Sequence, residues 1–471
     1  MVIRDDRPGR RLDRRVLGTN VPAWLGPETL ADPTFRSTTV ASGVTTARMP
    51  GGSWSNGYDW LACENGDDGC FWTWAARPSD FAAFLRATGL AGVWTVSINA
   101  SAQSSAAAVA FFNGSVDDDR AIGVDRDGVD WQTVGTWARL RAAHGNPDPV
   151  RIETWEVGNE VYGGRPDAGG EQCASFGWED VWTCDGTEYV RGDERHDGFL
   201  DHRRAMVAVD PSIRVGAVGV GDPASWSEWG HEVIESAGEG LDFYIVHQYG
   251  FDRSPPGDEA VRRPADMWPA LLDSVRSALP ETVPIAVTEY NLVSFEAGDT
   301  DRSMTRAMNA LYVADSIGQF AVGGVELANH WNLANGTTSS GTDYGMIDVR
   351  DGSVFPQYHA MSLWGATGAQ LLELEVSNAI DDVRIYPTRR ADGSLAVILI
   401  NVGAAPTSLD IGLAGTAPTV NGTLRTLRAD DLRADDLIED DPIAVTAADG
   451  QPLTMDLPAW SLSLLEVAPR G

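Results

Sequence analysis

No lysine occurs anywhere in the 471 residues, so every basic side chain is Arg or His. Asp and Glu number 68 against 35 Arg, a formal charge of −33 with His neutral. A surface this acidic argues against nucleic acid or an anionic membrane as a partner and favours a neutral ligand. No apolar run approaches the roughly 18 residues that cross a bilayer. The opening MVIRDDRPGRR has no apolar stretch of the kind a secretion signal carries. No Gly-rich phosphate loop follows any candidate strand, and no His-x-His cluster marks a metal-dependent hydrolase. No cofactor and no metal are therefore expected.

Cysteine is scarce. The four fall in two local pairs, Cys63 and Cys70 around ENGDDG, Cys173 and Cys184 around ASFGWEDVWT. Neither pair has the short spacing typical of zinc, which leaves a shared metal site as the rival reading. Two disulfides stapling polar loops are expected, although four cysteines allow three connectivities. Such bonds imply an oxidising compartment, so the chain is expected to be secreted or extracellular with its signal removed, the cytoplasm being the alternative. Oligomeric state is not legible.

What is abundant is apolar and aromatic. Hydrophobic residues make up 43% of the chain, with 17 Trp, enough to fill a large core. Indole faces also suit stacking on sugar rings. Strand-like segments lie at 15–21, 43–49, 92–98, 151–156, 213–220, 241–249, 284–289 and 324–331. Amphipathic segments at 78–89, 131–145, 199–210, 267–280, 304–321 and 358–372 alternate with them. About eight such units predict an α/β fold, a (β/α)8 TIM barrel over 13–372, in preference to a doubly wound open sheet. Beyond 373 short alternating runs broken by Gly, Pro and Asp predict a C-terminal β-sandwich over 373–471, with a strand contributed by residues 1–12. RADDLRADDLIEDD (428–441) repeats five residues and reads as a solvated acidic loop, with calcium binding as the alternative. DRDGVD (125–130) lacks the glutamate that would complete a calcium loop and reads as a helix lead-in.

In a barrel, chemistry gathers where strands end. Strand two ends in Arg48, followed by PGGSW; strand four in Asn159 and Glu160; strand six in His247 and Tyr249. Strand seven delivers Glu289 with Tyr290 and Asn291, and strand eight Asn329, His330 and Trp331. One polar strand end is ordinarily a satisfied cap. Several on one face, two of them carboxylates on opposite strands, match the needs of glycosidic cleavage. That reaction uses one carboxylic acid to protonate the leaving oxygen and one carboxylate across the anomeric carbon. Glu289 is assigned as nucleophile, with Arg48 keeping it ionised and Tyr249 bonding it. Glu160 is assigned as acid/base, with its pKa expected above that of Glu289; His247 would orient it, and Asn159 would hold a sugar hydroxyl.

The set ARMPGG, WEVGNEVYG, VHQY and VTEYN resembles the clan A glycoside hydrolases, most of all family 51, the α-L-arabinofuranosidases. RLDRRVLGTN and the stretch from WARLRAAHG into WEVGNE carry the same likeness, and barrel plus sandwich is that family's architecture. The resemblance implies retaining hydrolysis of plant cell-wall polysaccharides or their fragments. It implies Glu160 as acid/base, Glu289 as nucleophile, and Arg48, Asn159, His247 and Tyr249 lining a carbohydrate site; Trp331, Ser53 and Trp54 are further candidate substrate-binding residues. Two positions depart from the family. Pro22 stands where a sugar-holding glutamate is usual, and Ser53 where Asn follows PGG; both serve sugar recognition rather than bond cleavage. VTEYN with ALYVADSIGQFAVGGVELANHW also resembles family 44, so an endo-β-1,4-glycanase is the alternative, and a non-catalytic carbohydrate-binding barrel a further one. Trp24, Trp54, Tyr58, Trp60, Trp72 and Trp74, in the loops after strands one and two, form either a polymer-binding wall or a hydrophobic cluster under the Cys63–Cys70 loop.

Overall fold

Each of the eight expected strands forms in the computed structural model, which describes residues 1–67, 69–70, 72–164, 178–376, 380–415, 419–448 and 450–469. They are β1 Gly18–Asn20, β2 Thr46–Met49, β3 Ala91–Val96 and β4 Thr154–Val157. Then come β5 Arg214–Val218, β6 Phe243–Phe251, β7 Ile285–Val293 and β8 Leu327–His330. All pair in parallel and in chain order, and β8 closes on β1 with Asn329 opposite Gly18. β2, β4, β7 and β8 are buried at every residue, as strands covered on both faces must be. The chain is a TIM barrel carrying an additional β-rich unit.

The helices depart more from the sequence reading. Ala102–Asn113 went unread because AQSSAAAVAFFN is buried nearly all round and so has no polar face to mark the helical period. Pro33–Ala41 and Ser225–Ala237 were also missed, the latter broken by a kink at Trp226 to Glu228. The segment read as starting at 267 is a helix over Glu259–Ala278, with Pro264 and Pro269 inside it; Pro signals a helix boundary by losing a hydrogen bond, and here it does not stop the helix. The segment read as helix to 372 stops at Gly365, and Gln370–Leu371 is already a strand.

The β-rich unit is two packed sheets. Val2–Ile3 joins one sheet, beside Leu374–Glu375 and Thr407–Leu413, and Arg10–Arg11 joins the other beside Gln370–Leu371. Leu395–Asn401 shows how the sandwich meets the barrel. Leu395, Val397 and Leu399 point into the core between the sheets. Ala396, Ile398 and Ile400 alternate with them and join the barrel's core instead.

Polar contacts reinforce that junction. The Tyr386 hydroxyl donates to the fully buried Asp315 of helix Ala307–Gly323 and accepts from Gln319 Nε2 at 2.8 Å. The acidic duplication is more than a solvated loop. The carbonyls of Ala434 and Leu432 accept from Ala307 N and Met308 N, capping that helix, and Asp435 pairs with Arg302 at 2.6 Å. Asp125 in DRDGVD takes hydrogen bonds from Asp127 N, Val129 N and Trp131 Nε1, which occupy its carboxylate. Cys63–Cys70 is a disulfide, as expected; Cys184 is disulfide-bonded too, and Cys173 lies outside the described residues. Among the described residues no helix is long and apolar enough to cross a membrane.

Tyr386→Phe would leave the buried Asp315 carboxyl short of a donor. It should cost roughly 1–3 kcal/mol, measured by chemical denaturation against wild type.

Candidate active site

Arg48 is the centre of the site. At the end of β2 its side chain is 0% exposed, and all its hydrogen bonds go to β1, β4 or β7 or to the turn after β4. Nε donates to Glu156 at 2.6 Å, Nη1 to Glu289 at 2.8 Å and to Asn20 Oδ1 at 3.0 Å, and Nη2 to Asn159 Oδ1 at 2.9 Å. Burial lowers the guanidinium's pKa, but the charges of Glu156 and Glu289 outweigh it and raise it. Arg48 is thus a fixed cation. Tyr249 donates to the other Glu289 oxygen at 2.9 Å. Burial and the Glu289 charge push its phenol well up, so it stays a donor. Glu289 is therefore gripped at both oxygens, by a guanidinium and by a phenol.

Glu160 is held differently. Gly158 turns the chain out of β4 at φ 79°, and Glu160 follows in the left-handed region at φ 41°, a conformation costing on the order of 1 kcal/mol for a residue with a Cβ. Asn56 fixes this turn by accepting from Asn159 N at 3.0 Å and donating to Asn159 O at 2.8 Å. His247 Nδ1 lies 3.0 Å from Glu160 Oε1, and Trp178 Nε1 donates to Oε2 at 2.7 Å. The Glu160 side chain keeps 18% exposure against 6% for Glu289, so it is the more open of the two. Burial raises the Glu160 carboxyl, but the hydrogen bond and charge of His247, then Trp178 and Arg48, bring it below its ordinary value. The sequence reading sets Glu160 above Glu289; the lowering from its ordinary value comes from His247, which the VHQY motif supplies, and from Trp178, which no motif announced.

One oxygen from each of Glu160 and Glu289 and a His247 nitrogen lie within 4.8 Å of one another. These three could also ligate an ion. The 4.8 Å bound lies below the roughly 6.5–9.5 Å that leaves room for a water between two carboxylates acting on one anomeric carbon, on the side of the roughly 5–5.5 Å arrangement without one.

Most residues singled out from the sequence converge here. Asn159 does so with both ends of its amide engaged, Oδ1 on Arg48 and Nδ2 donating to Glu179 at 3.0 Å. Ser53 is exposed and bonds Glu179 at 2.7 Å. Trp331 is buried against the mouth, where a Cβ on Gly52 would meet its ring at 2.5 Å. Other strand-end groups turn elsewhere. Tyr290 packs outward against Trp268 and Phe320, His330 lies against Tyr290, and Asn329 donates to Thr19 O and Thr46 within the barrel. The aromatic set divides in two. Trp54 stacks on Trp72 at 3.9 Å with Trp24 and Trp74 edge-on, and Trp74 is 56% exposed. Tyr58 and Trp60 are core residues, bonded to Ala76 O and Ser104 O. Pro22 stands beside Gly51.

Five contributors named above were not read from the sequence: Glu156, Asn20, Asn56, Trp178 and Glu179. Glu156 sits in the strand run that ends at the Asn159-Glu160 pair, so a charge at an inward strand position was its available signal. Glu179 had none. Its carboxyl is buried beside Glu160 and pushed up to about 8, first by burial and then by the Glu160 charge. A cavity of ≈ 580 Å³ behind Asn56, lined by Trp60, Asn99 and Asp125 among others, includes neither Glu160 nor Glu289.

No protein-family profile matches the chain. An intracellular exo-α-(1→5)-L-arabinofuranosidase of Halalkalibacterium halodurans is 27% identical over 179 residues, 36% of this chain and 32% of that protein. A second of that description, from Bacillus subtilis, is 24% identical over 194 residues, 39% of this chain and 35% of that protein. The matched stretch spans about a third of each relative. By fold the likeness covers nearly everything. A family 51 α-L-arabinofuranosidase from Thermotoga petrophila superposes with a TM-score of 0.75 at 17% identity, over 99% of both chains. A family 44 xyloglucanase from Paenibacillus polymyxa gives 0.62 at 12% identity, over 99% of both. The resemblance seen in the motifs therefore extends to the fold, with family 51 and then family 44.

Arg48→Met would leave Glu156 and Glu289 buried without their cation. A loss of about 3–5 kcal/mol is expected in denaturant unfolding. Glu179 generates a pH signature. Its native carboxyl titrates near 8 against an ordinary 4.5, so its contribution to stability is full below 4.5 and fades as pH rises to 8. The stability of wild type relative to Glu179→Gln should therefore fall between pH 5 and 8 and level off above it.

Proposed function

We propose that the chain is a retaining glycoside hydrolase acting on plant cell-wall polysaccharides or their fragments, and specifically an α-L-arabinofuranosidase. The observation that carries this is the pair Glu160 and Glu289, within 4.8 Å at their nearest acceptor atoms and held by opposite means. Glu289, ionised under Arg48 and Tyr249, attacks the anomeric carbon while Glu160 protonates the departing oxygen. Forming the glycosyl ester removes the Glu289 charge, which lowers the proton affinity of Glu160 and turns it into the base that activates water. His247 Nδ1 lies 3.0 Å from Glu160 and 3.7 Å from Glu289, within reach of both carboxylates. The names of the sequence relatives and of the family 51 folds support arabinofuranose as the sugar.

An endo-β-1,4-glycanase is the second reading. The exposed Trp74 beside the Trp54–Trp72 stack would suit further units of a polymer, and the family 44 fold is shared. The catalytic unit is assigned to 13–372 and the sandwich to 373–471. The Cys63–Cys70 disulfide supports an oxidising, extracellular location, although the sequence relatives are named as intracellular.

A panel of 4-nitrophenyl α-L-arabinofuranoside, arabinan, arabinoxylan, xyloglucan and β-glucan tests the assignment. Free arabinose, first formed with the configuration of the substrate, is expected. Oligosaccharides from a β-glucan backbone would replace it with the endo reading, and a lack of turnover throughout with a binding protein. Glu289→Ala should abolish turnover, and Glu160→Ala should lower it about 10²–10⁴-fold. EDTA should leave activity unchanged; loss of activity would move Glu160, His247 and Glu289 to a metal role.

A further inference from the structure

Glu179 lies outside every motif and far from β4 in sequence, yet it joins the site at its centre. Its side chain is 0% exposed and accepts three hydrogen bonds. Ser53 Oγ at 2.7 Å and Asn159 Nδ2 at 3.0 Å meet Oε1; Asn56 Nδ2 at 2.7 Å meets Oε2. Among the described residues it has no ion-pair partner, and a buried carboxyl without one is costly.

An asparagine amide can be placed either way round, and its neighbours decide which. With Nδ2 drawn to Glu179, Asn159 presents Oδ1 to Arg48. The reverse would set amide hydrogens against guanidinium hydrogens. The second Glu179 oxygen does the same for Asn56, whose amide then grips the main chain of Asn159 on both sides. Glutamine in this place would direct its own NH2 at one of the two amide donors. We propose that Glu179 is a positioning residue that aligns the Asn159–Glu160 turn with Arg48, and so sets the acid/base against the nucleophile; this rests on the glycosidase reading of the site. Its proton affinity is raised by burial and by the Glu160 charge, against the lowering effect of these three hydrogen bonds. Asn56 and Asn159 offer it only donors, so a proton on Glu179 has only the Ser53 hydroxyl to bond.

The test compares Glu179→Gln and Glu179→Ala with wild type, using the panel substrate that wild type cleaves and thermal unfolding as a control for folding. A positioning role predicts a fall in kcat of about 10-fold for Gln and on the order of 10²-fold for Ala, with KM nearly unchanged. A folded Glu179→Ala with wild-type kcat, or a loss confined to KM, would overturn it. Crystal structures of both variants give a readout independent of turnover. The inference expects the Asn159 amide turned or withdrawn from Arg48 in the Ala variant; Oδ1 still on Arg48 sinks it. If wild type cleaves no glycoside, the glycosidase reading falls, and the position of Asn159 still decides what Glu179 does.

Discussion

The Arg48 guanidinium sits in the barrel with no water contact and with two carboxylates, Glu156 and Glu289, at 2.6 and 2.8 Å. A single buried cation between two buried anions leaves a net negative charge, which the neutral donors around it must offset. Tyr249 supplies one on Glu289, and Thr95 supplies another on Glu156 at 3.0 Å. Each ligand of Arg48 comes from a different part of the mouth, so their common geometry depends on strand order and barrel closure. Breaking the cation's contacts would strand charge in low dielectric, and that penalty keeps β1, β2, β4 and β7 in mutual register at the site.

Around this centre the two glutamates are differentiated by what surrounds them. Both are carboxylates at strand ends. One has a permanent cation and a phenol; the other has an imidazole, an indole and access to solvent. An asymmetry between the two carboxylates therefore arises without any difference in residue type. The strained turn at Glu160 is affordable because Asn56, Asn159 and Glu179 over-determine it by hydrogen bonds.

The fold was legible to the degree that burial leaves a pattern. Buried parallel strands read as apolar runs with polar tips, and all eight were found. Amphipathic helices were found where one face is wet, and lost where, as in Ala102–Asn113, both are dry. Within the site, Arg48, Asn159, Glu160, His247, Tyr249 and Glu289 were visible because barrel topology brings strand ends together whatever the loops do. Trp178 and Glu179 were not, because they arrive from an irregular segment whose path no local pattern encodes.

By itself, then, the sequence determined the alternation of strands and helices, the sandwich that follows, and which strand ends carry ionisable groups, since these depend on residue order and hydrophobic period alone. Tertiary structure decided which of those groups meet. It turned Tyr290 and His330 away from the mouth, brought Glu156 under Arg48, and placed Glu179 behind Asn159. It also drew the acidic duplication onto the N-terminus of helix Ala307–Gly323, and lowered the Glu160 carboxyl from its ordinary value. Proton affinity and hydrogen-bond direction depend on distance in space, and contacts between segments far apart in the chain exist only once the barrel has closed.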